Sequence, residues 1–405
     1  MAVILPDRSC DAARGRASIA MMDAMLGSCS LTDLGRRKSF KWRTYPPDVL
    51  PAFVAEMDFT QAEPITAAIQ AALAIGDTGY PHVGELGEAF ASFAQGRLGW
   101  RPSAEWVFAI PDVMTGVAEV LIATTPHGSG VVISPPVYGP FFFRLGFIGR
   151  HLVEAPLRRL DDGSYDLDAQ ALDEALSRPD VSAYLLCSPH NPLGQVWTRE
   201  QLTIVADACQ RHEVVLLVDE IHAPLVLPGA TFVPFGSLDH EMAGRAYIFT
   251  SASKGWNIAG LKCGVAVAGS AESATLLTER WEALLASHLG VLASVAAFAR
   301  SLDWLDAVAS QIEVNQRLLT RLLPEYLPGV RYVPGSASFL AWLDCRTLGL
   351  GDDPAAVFLE RGRVALSPGT DFGAQGAGFA RLNIGTSPEL ITEAVHRMAS
   401  AAAAR

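Results

Sequence analysis

The sequence predicts an α/β fold in which a mostly parallel sheet is covered by helices on both faces and is followed by a smaller α/β domain. From about residue 60, short β-branched runs alternate with amphipathic segments, which is the pattern of successive βαβ units. After about residue 290 the pattern changes to a long helical stretch, a hairpin-like piece at 330–344 and a closing strand and helix. We therefore expect an N-terminal arm at 1–60 packed on the small domain, a large domain at 61–290 and a small domain at 291–405.

The composition limits the possible classes of function. Half of the 405 residues are apolar, which is enough for a large buried core. The formal net charge of −12 argues against a nucleic-acid surface, so we expect a small-molecule partner. No signal peptide or membrane-spanning run is recognisable, and Met21, Met22 or Met25 could be the natural start. The scattered cysteines lack metal-ligand spacing and are expected to be reduced structural thiols in a cytoplasmic protein without a metal site. They are Cys10, Cys29, Cys187, Cys209, Cys263 and Cys345.

Four apolar runs are the expected strands of the large sheet. They are GVVISPP (130–136), AYLLCSP (183–189), EVVLLVDE (213–220) and AYIFTSAS (246–253). Each ends in polar or turn residues, and open α/β sheets bind ligands beyond the carboxyl ends of their strands, so we expect these endings to meet at one crevice. Between the second and third runs, the segment at 198–212 predicts a crossover helix, with Thr198 as its N-cap and Gln201 three residues later.

Two of these strand ends carry residues suited to holding a polar ring. Asp219 follows five apolar residues, and a carboxylate buried in this way requires a cationic partner, such as a protonated pyridine nitrogen. Asn191, in CSPHNPLGQVW, would be a rigid amide donor, because Gly194 closes the turn that contains it. An isolated Asn-Pro pair would indicate only a turn.

The segment TSASKGWNIAGLKCG carries a lysine directly after a strand. Lys254 follows Ser251 and Ser253, and these hydroxyls, with backbone amides and a nearby cation, can form a phosphate cup. A partly desolvated lysine at this edge can form a Schiff base. Lys262, eight residues further on, could supply the additional cation.

Two further segments precede these motifs. IPDVMTGVAEVLI (110–122) predicts a loop that enters a helix at Thr115 and Gly116, where free N–H groups favour a phosphate, although an ordinary N-cap explains the segment equally well. Tyr138 lies just past a strand end, where it could stack on a planar ring or belong to the core.

The order of these motifs is more specific than any one of them. From about residue 38 to the C-terminus, the chain resembles the fold-type I pyridoxal 5′-phosphate (PLP) enzymes. The resemblance lies in the order of the motifs: a phosphate loop, an aromatic residue, N-P-x-G, D-E-x-H, S-x-S-K and a late arginine. The resemblance implies a PLP-dependent transferase fold with a seven-stranded sheet. Within this class, the chain looks like the MalY/PatB family of cystathionine β-lyases and related C–S lyases. The segments that carry this resemblance are KW, LPAFVAEMDF, GY, PHNPLG, VDEIHAPLV, TSASKGWNIAGLK and RLNIG.

The resemblance implies a role for each residue. Lys254 would form the Schiff base with PLP and move the Cα proton, Asp219 would pair with the pyridine nitrogen, and Arg381 would bind the substrate α-carboxylate. Asn191 would donate to the phenolic oxygen of the ring, and His222 stands where aminotransferases usually have a tyrosine with this role. Tyr138 would stack on the ring. The phosphate would be held by Thr115, Gly116, Ser251, Ser253 and Lys262, together with Tyr80 from the partner subunit of a homodimer.

Three residues depart from the family pattern. Phe53 replaces a tryptophan and Glu56 an aspartate in a segment expected to line the substrate pocket, so the accepted leaving group could differ. Asp112 stands in the phosphate loop where small residues are common, and it could cap the helix.

The implied reaction is β-elimination from cystathionine or another S-substituted L-cysteine, giving a thiol, pyruvate and ammonia. A class I/II aminotransferase is the alternative, because transamination uses the same lysine, aspartate, asparagine and arginine. A regulatory binding protein of the same fold is a third possibility, but binding alone would not require Lys254 and Asp219. No cationic anchor for a dicarboxylate side chain is identifiable in the sequence. Chance placement of five ordered motifs is disfavoured.

Overall fold

The computed structural model describes residues 25–27, 30–280 and 282–404. Cys10, Cys29 and the alternative starts Met21 and Met22 lie outside the described residues. Among the described residues, the remaining four cysteines are buried and form no disulfide. No described helix combines the length and apolar character that crossing a membrane requires.

A seven-stranded sheet forms the centre of the molecule. Its strands are β2 (Val107–Ile110), β3 (Gly130–Ile133), β4 (His151–Glu154), β7 (Val181–Cys187), β8 (Val215–Asp219), β9 (Tyr247–Thr250) and β10 (Gly264–Ala268), and their order is β2-β10-β9-β8-β7-β3-β4. Only β10 runs antiparallel to its two neighbours in this sheet. The predicted α/β fold with a mostly parallel seven-stranded sheet is confirmed.

Helices cover both faces of this sheet. They are α3 (Glu63–Ala74), α4 (Leu86–Leu98), α5 (Val113–Thr124), α6 (Pro140–Phe147), α7 (Ala169–Leu176), α8 (Arg199–Arg211), α9 (Glu241–Arg245), α10 (Ala252–Gly255), α11 (Ala271–Glu279) and α12 (His288–Arg300). Successive strand residues point to opposite faces, so Leu216 and Val218 belong to one apolar core and Leu217 to the other. The predicted crossover helix is α8, and Thr198 and Gln201 form the capping box at its start.

A four-stranded antiparallel sheet forms a second layer near the C-terminus. Its order is β11 (Arg331–Tyr332), β12 (Leu340–Asp344), β15 (Phe379–Asn383) and β14 (Ser367–Pro368), so the predicted hairpin is the β11–β12 pair. The helices of this part are α13 (Leu302–Tyr326), α14 (Pro354–Gly362) and α15 (Pro388–Ala403). The domain limits stay a prediction; α12, which spans the limit at residue 290, packs on α3 and α4.

The N-terminal segment pairs with the C-terminal part of the chain through one short strand. It contains α1 (Leu31–Leu34), α2 (Phe40–Arg43) and β1 (Leu50–Pro51), and β1 pairs in parallel with β13 (Val364–Ala365). A short hairpin of β5 (Arg158–Arg159) and β6 (Tyr165–Asp166) completes the strands. The Lys41 ammonium and the Asp58 carboxylate form a buried ion pair at 2.7 Å, which fixes this segment internally.

Gly116 allows helix α5 to approach the sheet closely. A Cβ atom at this position would lie 2.7 Å from Ile110 Cδ1 and 2.9 Å from Phe249 Cε1, closer than van der Waals contact permits. The absence of a side chain is therefore explained by packing between α5 and strands β2 and β9.

We expect Gly116→Ala to lower the free energy of unfolding by about 1–3 kcal/mol, because the added methyl group overpacks the interface. Gly96→Ala is the matched control: Gly96 also lies in a helix, but a Cβ atom there meets nothing within 4 Å, so we expect about 0.5–1 kcal/mol of stabilisation. Urea denaturation of both variants tests this, and equal effects would contradict the packing explanation.

Candidate active site

A cleft of about 460 Å³ opens where β7, β8 and β9 end and α5 begins. Nine of the twelve predicted site residues line it: Tyr138, Asn191, Asp219, His222, Ser251, Ser253, Lys254, Lys262 and Arg381. The lining does not include Thr115, Gly116 or Tyr80. The sheet therefore brings most of the predicted residues together, as expected for strand ends at one edge.

Asp219 is the last residue of β8 and is 2% exposed. Its Oδ1 atom accepts a hydrogen bond from the Ile221 backbone N–H at 3.0 Å. Burial raises the pKa of the Asp219 carboxyl to about 7, although the Lys254 charge acts in the opposite direction. The group is thus balanced between a protonated form and a carboxylate that requires a cation.

Lys254 lies on the short helix α10 and lines the cleft. Ser251 caps this helix by accepting a hydrogen bond from the Ser253 N–H at 3.0 Å. Lys254 Nζ donates to the Ala55 carbonyl oxygen at 3.0 Å. Desolvation, with the Arg381 charge, lowers the pKa of Lys254 to about 8, so about a tenth of this amine is neutral and nucleophilic at pH 7, far more than for an exposed lysine.

Arg381, on β15, is 6% exposed and is oriented by three acceptors. Its Nη1 donates to Asn191 Oδ1 at 3.0 Å, and its Nη2 donates to the Phe53 carbonyl at 2.9 Å and Ser367 Oγ at 3.1 Å. The guanidinium lies 4.8 Å from the centroid of the Phe372 ring. Burial lowers the pKa of Arg381 to about 10, which leaves it cationic at neutral pH.

Asn191 and His222 present polar atoms that the protein leaves available. The Asn191 amide oxygen is occupied by Arg381, so its NH₂ group is the donor left for a ligand. His222 is 3% exposed, and in the described part of the chain its Nδ1 has no hydrogen-bond partner. Burial and the nearby Lys254 and Arg381 charges lower the pKa of His222 to about 3, so its imidazole is neutral.

The expected phosphate end of the cleft contains an additional carboxylate. Asp112 caps α5 by accepting hydrogen bonds from the Thr115 N–H at 2.8 Å and the Thr115 hydroxyl at 3.0 Å. The other Asp112 oxygen pairs with Lys262 Nζ. The capping role suggested for Asp112 is confirmed. Phosphate binding by Thr115 and Lys262 stays a prediction, as both are engaged with Asp112 in this structure.

The two tyrosines predicted to contact the cofactor, Tyr138 and Tyr80, lie in different surroundings. Tyr138 lines the cleft edge-on to Phe141, with ring centroids 5.5 Å apart, and burial together with the Asp219 charge raises the pKa of its hydroxyl to about 12. Tyr80 is 92% exposed on the connection between α3 and α4. Its contribution to a partner's site stays a prediction.

The segment at 53–57 acts through its main chain, which the sequence analysis did not anticipate. Val54 and Ala55 line the cleft, whereas Phe53 and Glu56 are not part of the lining. The Phe53 ring packs edge-on against Phe40 and Tyr45, with centroid distances of 5.8 and 5.2 Å. The Glu56 carboxylate accepts a hydrogen bond from the Ser39 hydroxyl. Neither the Phe53 nor the Glu56 side chain contacts the cleft, so no direct contact supports the expected effect of these two replacements on the leaving group.

Two other residues of the lining, Phe143 and Arg144, were also missed. Both lie on α6, five and six residues after Tyr138, and nothing in the local sequence distinguishes them from solvent-facing residues of an amphipathic helix. Only their position beside the strand ends identifies them.

The donor and acceptor groups of this cleft fit PLP. The buried Asp219 carboxyl lacks a dedicated cation, and the orphan His222 Nδ1 and the free Asn191 NH₂ group face the same space. The Lys254 amine lies in the same lining. A protonated pyridine ring with a phenolic oxygen and an aldehyde carbon satisfies this set.

Comparisons with known proteins agree with this assignment. The family described as aminotransferase class I and II matches residues 55–398. A Mycobacterium leprae relative, described provisionally as a cystathionine β-lyase, is 42% identical over 93% of this chain and 98% of its own length. Cystathionine β-lyase PatB of Bacillus subtilis is 36% identical over 87% and 92% of the two chains. The crystal structure of cystalysin from Treponema denticola, which contains PLP, superposes with a TM-score of 0.86 at 27% identity and covers 93% of this chain and 98% of that one.

The fold and the cleft thus define a PLP-dependent enzyme of fold type I. The chain belongs to the class I and II aminotransferase family and, within it, to the group that contains the cystathionine β-lyases such as PatB. The predicted family, enzyme class and cofactor are confirmed.

The raised pKa of Asp219 predicts a pH dependence of stability in the cofactor-free protein. Between about pH 4 and pH 7 the folded state retains a proton on Asp219 that the unfolded state has released, so this residue lowers the stability of the folded state progressively as the pH rises through that window. We expect Asp219→Asn to gain stability relative to the unmodified protein from pH 5 to pH 8, by roughly 2–3 kcal/mol.

Urea denaturation of the cofactor-free proteins at the two pH values measures this difference. Glu220 is present in both chains. Its pKa is raised to about 8 by burial and, to a smaller extent, by the Asp219 charge, so only the part caused by burial cancels in the comparison. Glu360→Gln, at an exposed position, is the control expected to show no such trend. A difference between Asp219→Asn and the unmodified protein that does not change with pH would refute the assignment.

Proposed function

We propose that this protein cleaves the Cβ–S bond of an S-substituted L-cysteine, such as cystathionine, and releases a thiol, pyruvate and ammonia with PLP as cofactor. The observation that carries the proposal is the convergence of Lys254, Asp219 and Arg381 on one cleft. The cystathionine β-lyase names of its relatives support the choice of reaction.

The protein's groups hold cofactor and substrate in a fixed relation. Asp219 would pair as a carboxylate with the ring nitrogen, Asn191 and His222 would contact the phenolic oxygen, and Tyr138 would stack on the ring. Arg381, already fixed by the Phe53 carbonyl, binds the α-carboxylate of the amino acid. Bound PLP supplies an electron sink for the pair of electrons left at Cα, and the carboxylate of Asp219 keeps the ring nitrogen protonated for that purpose.

Lys254 carries out the proton transfer. Its lowered pKa allows part of it to exist as the free amine, and the hydrogen bond to the Ala55 carbonyl oxygen fixes Nζ at the lining of the cleft. The amine takes the proton from Cα, and the resulting ammonium is stabilised by the Ala55 oxygen. The sulfur leaves with the electron pair of the C–S bond.

The activity test combines two products in one assay. Purified protein with PLP is given L-cystathionine or S-ethyl-L-cysteine without any keto acid, and pyruvate and free thiol are followed together; we expect them in equal amounts. Lys254→Ala should lower turnover by about 10²-fold or more, because the base is lost. Lys38→Ala, an exposed lysine outside the cleft, is the control and should retain activity. Amino-group transfer to an added keto acid without thiol release would instead identify an aminotransferase.

We also propose that the unit is a homodimer in which Tyr80 reaches the partner's cleft. The exposure of Tyr80 and its position outside the cleft of its own chain support this arrangement. Ile75, 82% exposed, supplies an apolar side chain on the same connection. A cytoplasmic location is part of the proposal and is supported by the four buried, unpaired cysteines.

Subunit complementation tests the dimer. Tyr80→Ala and Lys254→Ala chains should each be impaired alone, whereas a co-expressed and purified heterodimer contains one site with both native residues. We expect it to recover up to about half of the unmodified activity, because one of two sites is intact. A Tyr80 acting within its own chain would leave every heterodimer site defective, and a fully active monomer would equally contradict the proposal.

A further inference from the structure

The charged residues that line the cleft can be matched with partners, and one cation is left over. Asp112 and Lys262 pair with each other, and Asp219 and Lys254 serve the cofactor and the proton transfer. Arg381 serves the α-carboxylate. Arg144 lines the same cleft, yet its guanidinium has no hydrogen bond or ion pair with any of the residues described by the structure.

Arg144 is held at a defined position although it is only half-buried. It lies on helix α6, whose Phe141 and Leu145 side chains are buried in the apolar core and fix the helix against the sheet. Pro140 and Phe143 line the cleft from the same helix. A planar guanidinium on such a rigid element can bind a carboxylate through two hydrogen bonds with little loss of conformational entropy.

We infer that Arg144 binds a carboxylate at the far end of the leaving group, so that the preferred substrates are S-substituted L-cysteines whose sulfur substituent ends in an acid. This inference rests on the proposed lyase function and specifies its substrate class. Arg381 serves the α-carboxylate, and Phe143 and Pro140 offer apolar surface to the methylene groups between sulfur and the distal acid. The structure thereby supplies the cationic anchor that was not identifiable in the sequence.

The contact follows the leaving group through the reaction. When the Cβ–S bond breaks, both electrons of that bond stay with sulfur, and the thiolate takes up a proton to become a thiol that still carries the distal carboxylate. Arg144 therefore acts on recognition of the leaving group rather than on the proton at Cα, and its removal should affect KM more than kcat.

The test uses two substrates that differ in one charge. S-(2-carboxyethyl)-L-cysteine carries a terminal carboxylate, and its primary amide has nearly the same shape without the charge. We expect the unmodified holoenzyme to favour the acid by about 10- to 100-fold in kcat/KM, as a charge-assisted hydrogen-bonded pair would provide. Arg144→Gln should bring the ratio close to 1, through a higher KM for the acid, and leave kcat/KM for the amide within about twofold.

Three controls keep the outcome interpretable. Arg144→Lys retains the charge and should keep a reduced preference for the acid. Arg245→Gln removes an exposed arginine on α9 that pairs with Glu241 and should change neither substrate. Inhibition by 3-mercaptopropionate, the thiol product, gives a binding readout, and its Ki should rise about tenfold or more in Arg144→Gln.

The outcomes separate the two proposals. Equal turnover of acid and amide by the unmodified enzyme, or an unchanged preference in Arg144→Gln, would overturn the role of Arg144 and leave the lyase function standing. Absence of pyruvate and thiol from both substrates and from L-cystathionine would overturn the lyase function itself, and the inference with it. Retained amide turnover in Arg144→Gln shows that the variant is folded, so a lost preference is attributable to the missing guanidinium.

Discussion

The main-chain carbonyl groups of residues 53–57 are the constraint on which the rest of the site depends. Two of them hold two of the cationic side chains of the cleft: the Phe53 oxygen accepts from Arg381 and the Ala55 oxygen accepts from Lys254. The same segment is fixed to α10 and its neighbourhood by the Asn257 amide, which pairs with both the N–H and the C=O of Met57 at 2.8 and 2.9 Å. Since Arg381 belongs to the C-terminal sheet and Lys254 follows the central sheet, one short segment sets the distance between the two groups to which we assign substrate binding and proton transfer.

The buried cluster of Asp219, Lys254 and Arg381 lowers the stability of the cofactor-free fold, because its charged groups are only partly compensated. Burial raises the pKa of Asp219 and lowers those of Lys254 and Arg381, so each group is held in surroundings that disfavour its charged form. Such opposed shifts in one cleft are typical of catalytic groups. A ligand with a positive ring nitrogen and a negative carboxylate relieves both kinds of strain at once, because it places a cation beside Asp219 and an anion beside Arg381. The desolvation cost of these groups is therefore offset when the ligand binds, and this contributes to the binding free energy.

The sequence predicted the parts of the site that have a local signal. Asp219 and Lys254 directly follow apolar strands, and Asn191 belongs to a recognisable turn, so their placement at one sheet edge required no tertiary information. The carbonyl groups of residues 53–57 could not be predicted, because every residue has a carbonyl and only the folded chain determines which ones face the cleft. Gly116 was predicted as a phosphate contact, but the close approach of α5 to β2 and β9 provides a separate reason for a glycine there. The number of strands came from the family resemblance, since β10 is antiparallel and no local pattern indicates its direction.

The cleft has two parts that differ in how freely they can change. Asn191, Asp219 and Lys254, which we propose contact the cofactor, lie at or just after the ends of central strands. Asp219 is buried there, so a substitution that changes its size disturbs the core. Phe143 and Arg144 lie on α6, whose buried residues are on another side of the helix, so these two positions can vary while the helix packing is preserved. In the proposed function, the chemistry common to lyases and aminotransferases is thus located at the sheet edge, and the choice of substrate is located on a helix surface beside it. This separation explains why the residues that indicate the cofactor could be predicted from sequence motifs. The residue that we assign to the leaving group could be identified only from the packing of α6 against the strand ends.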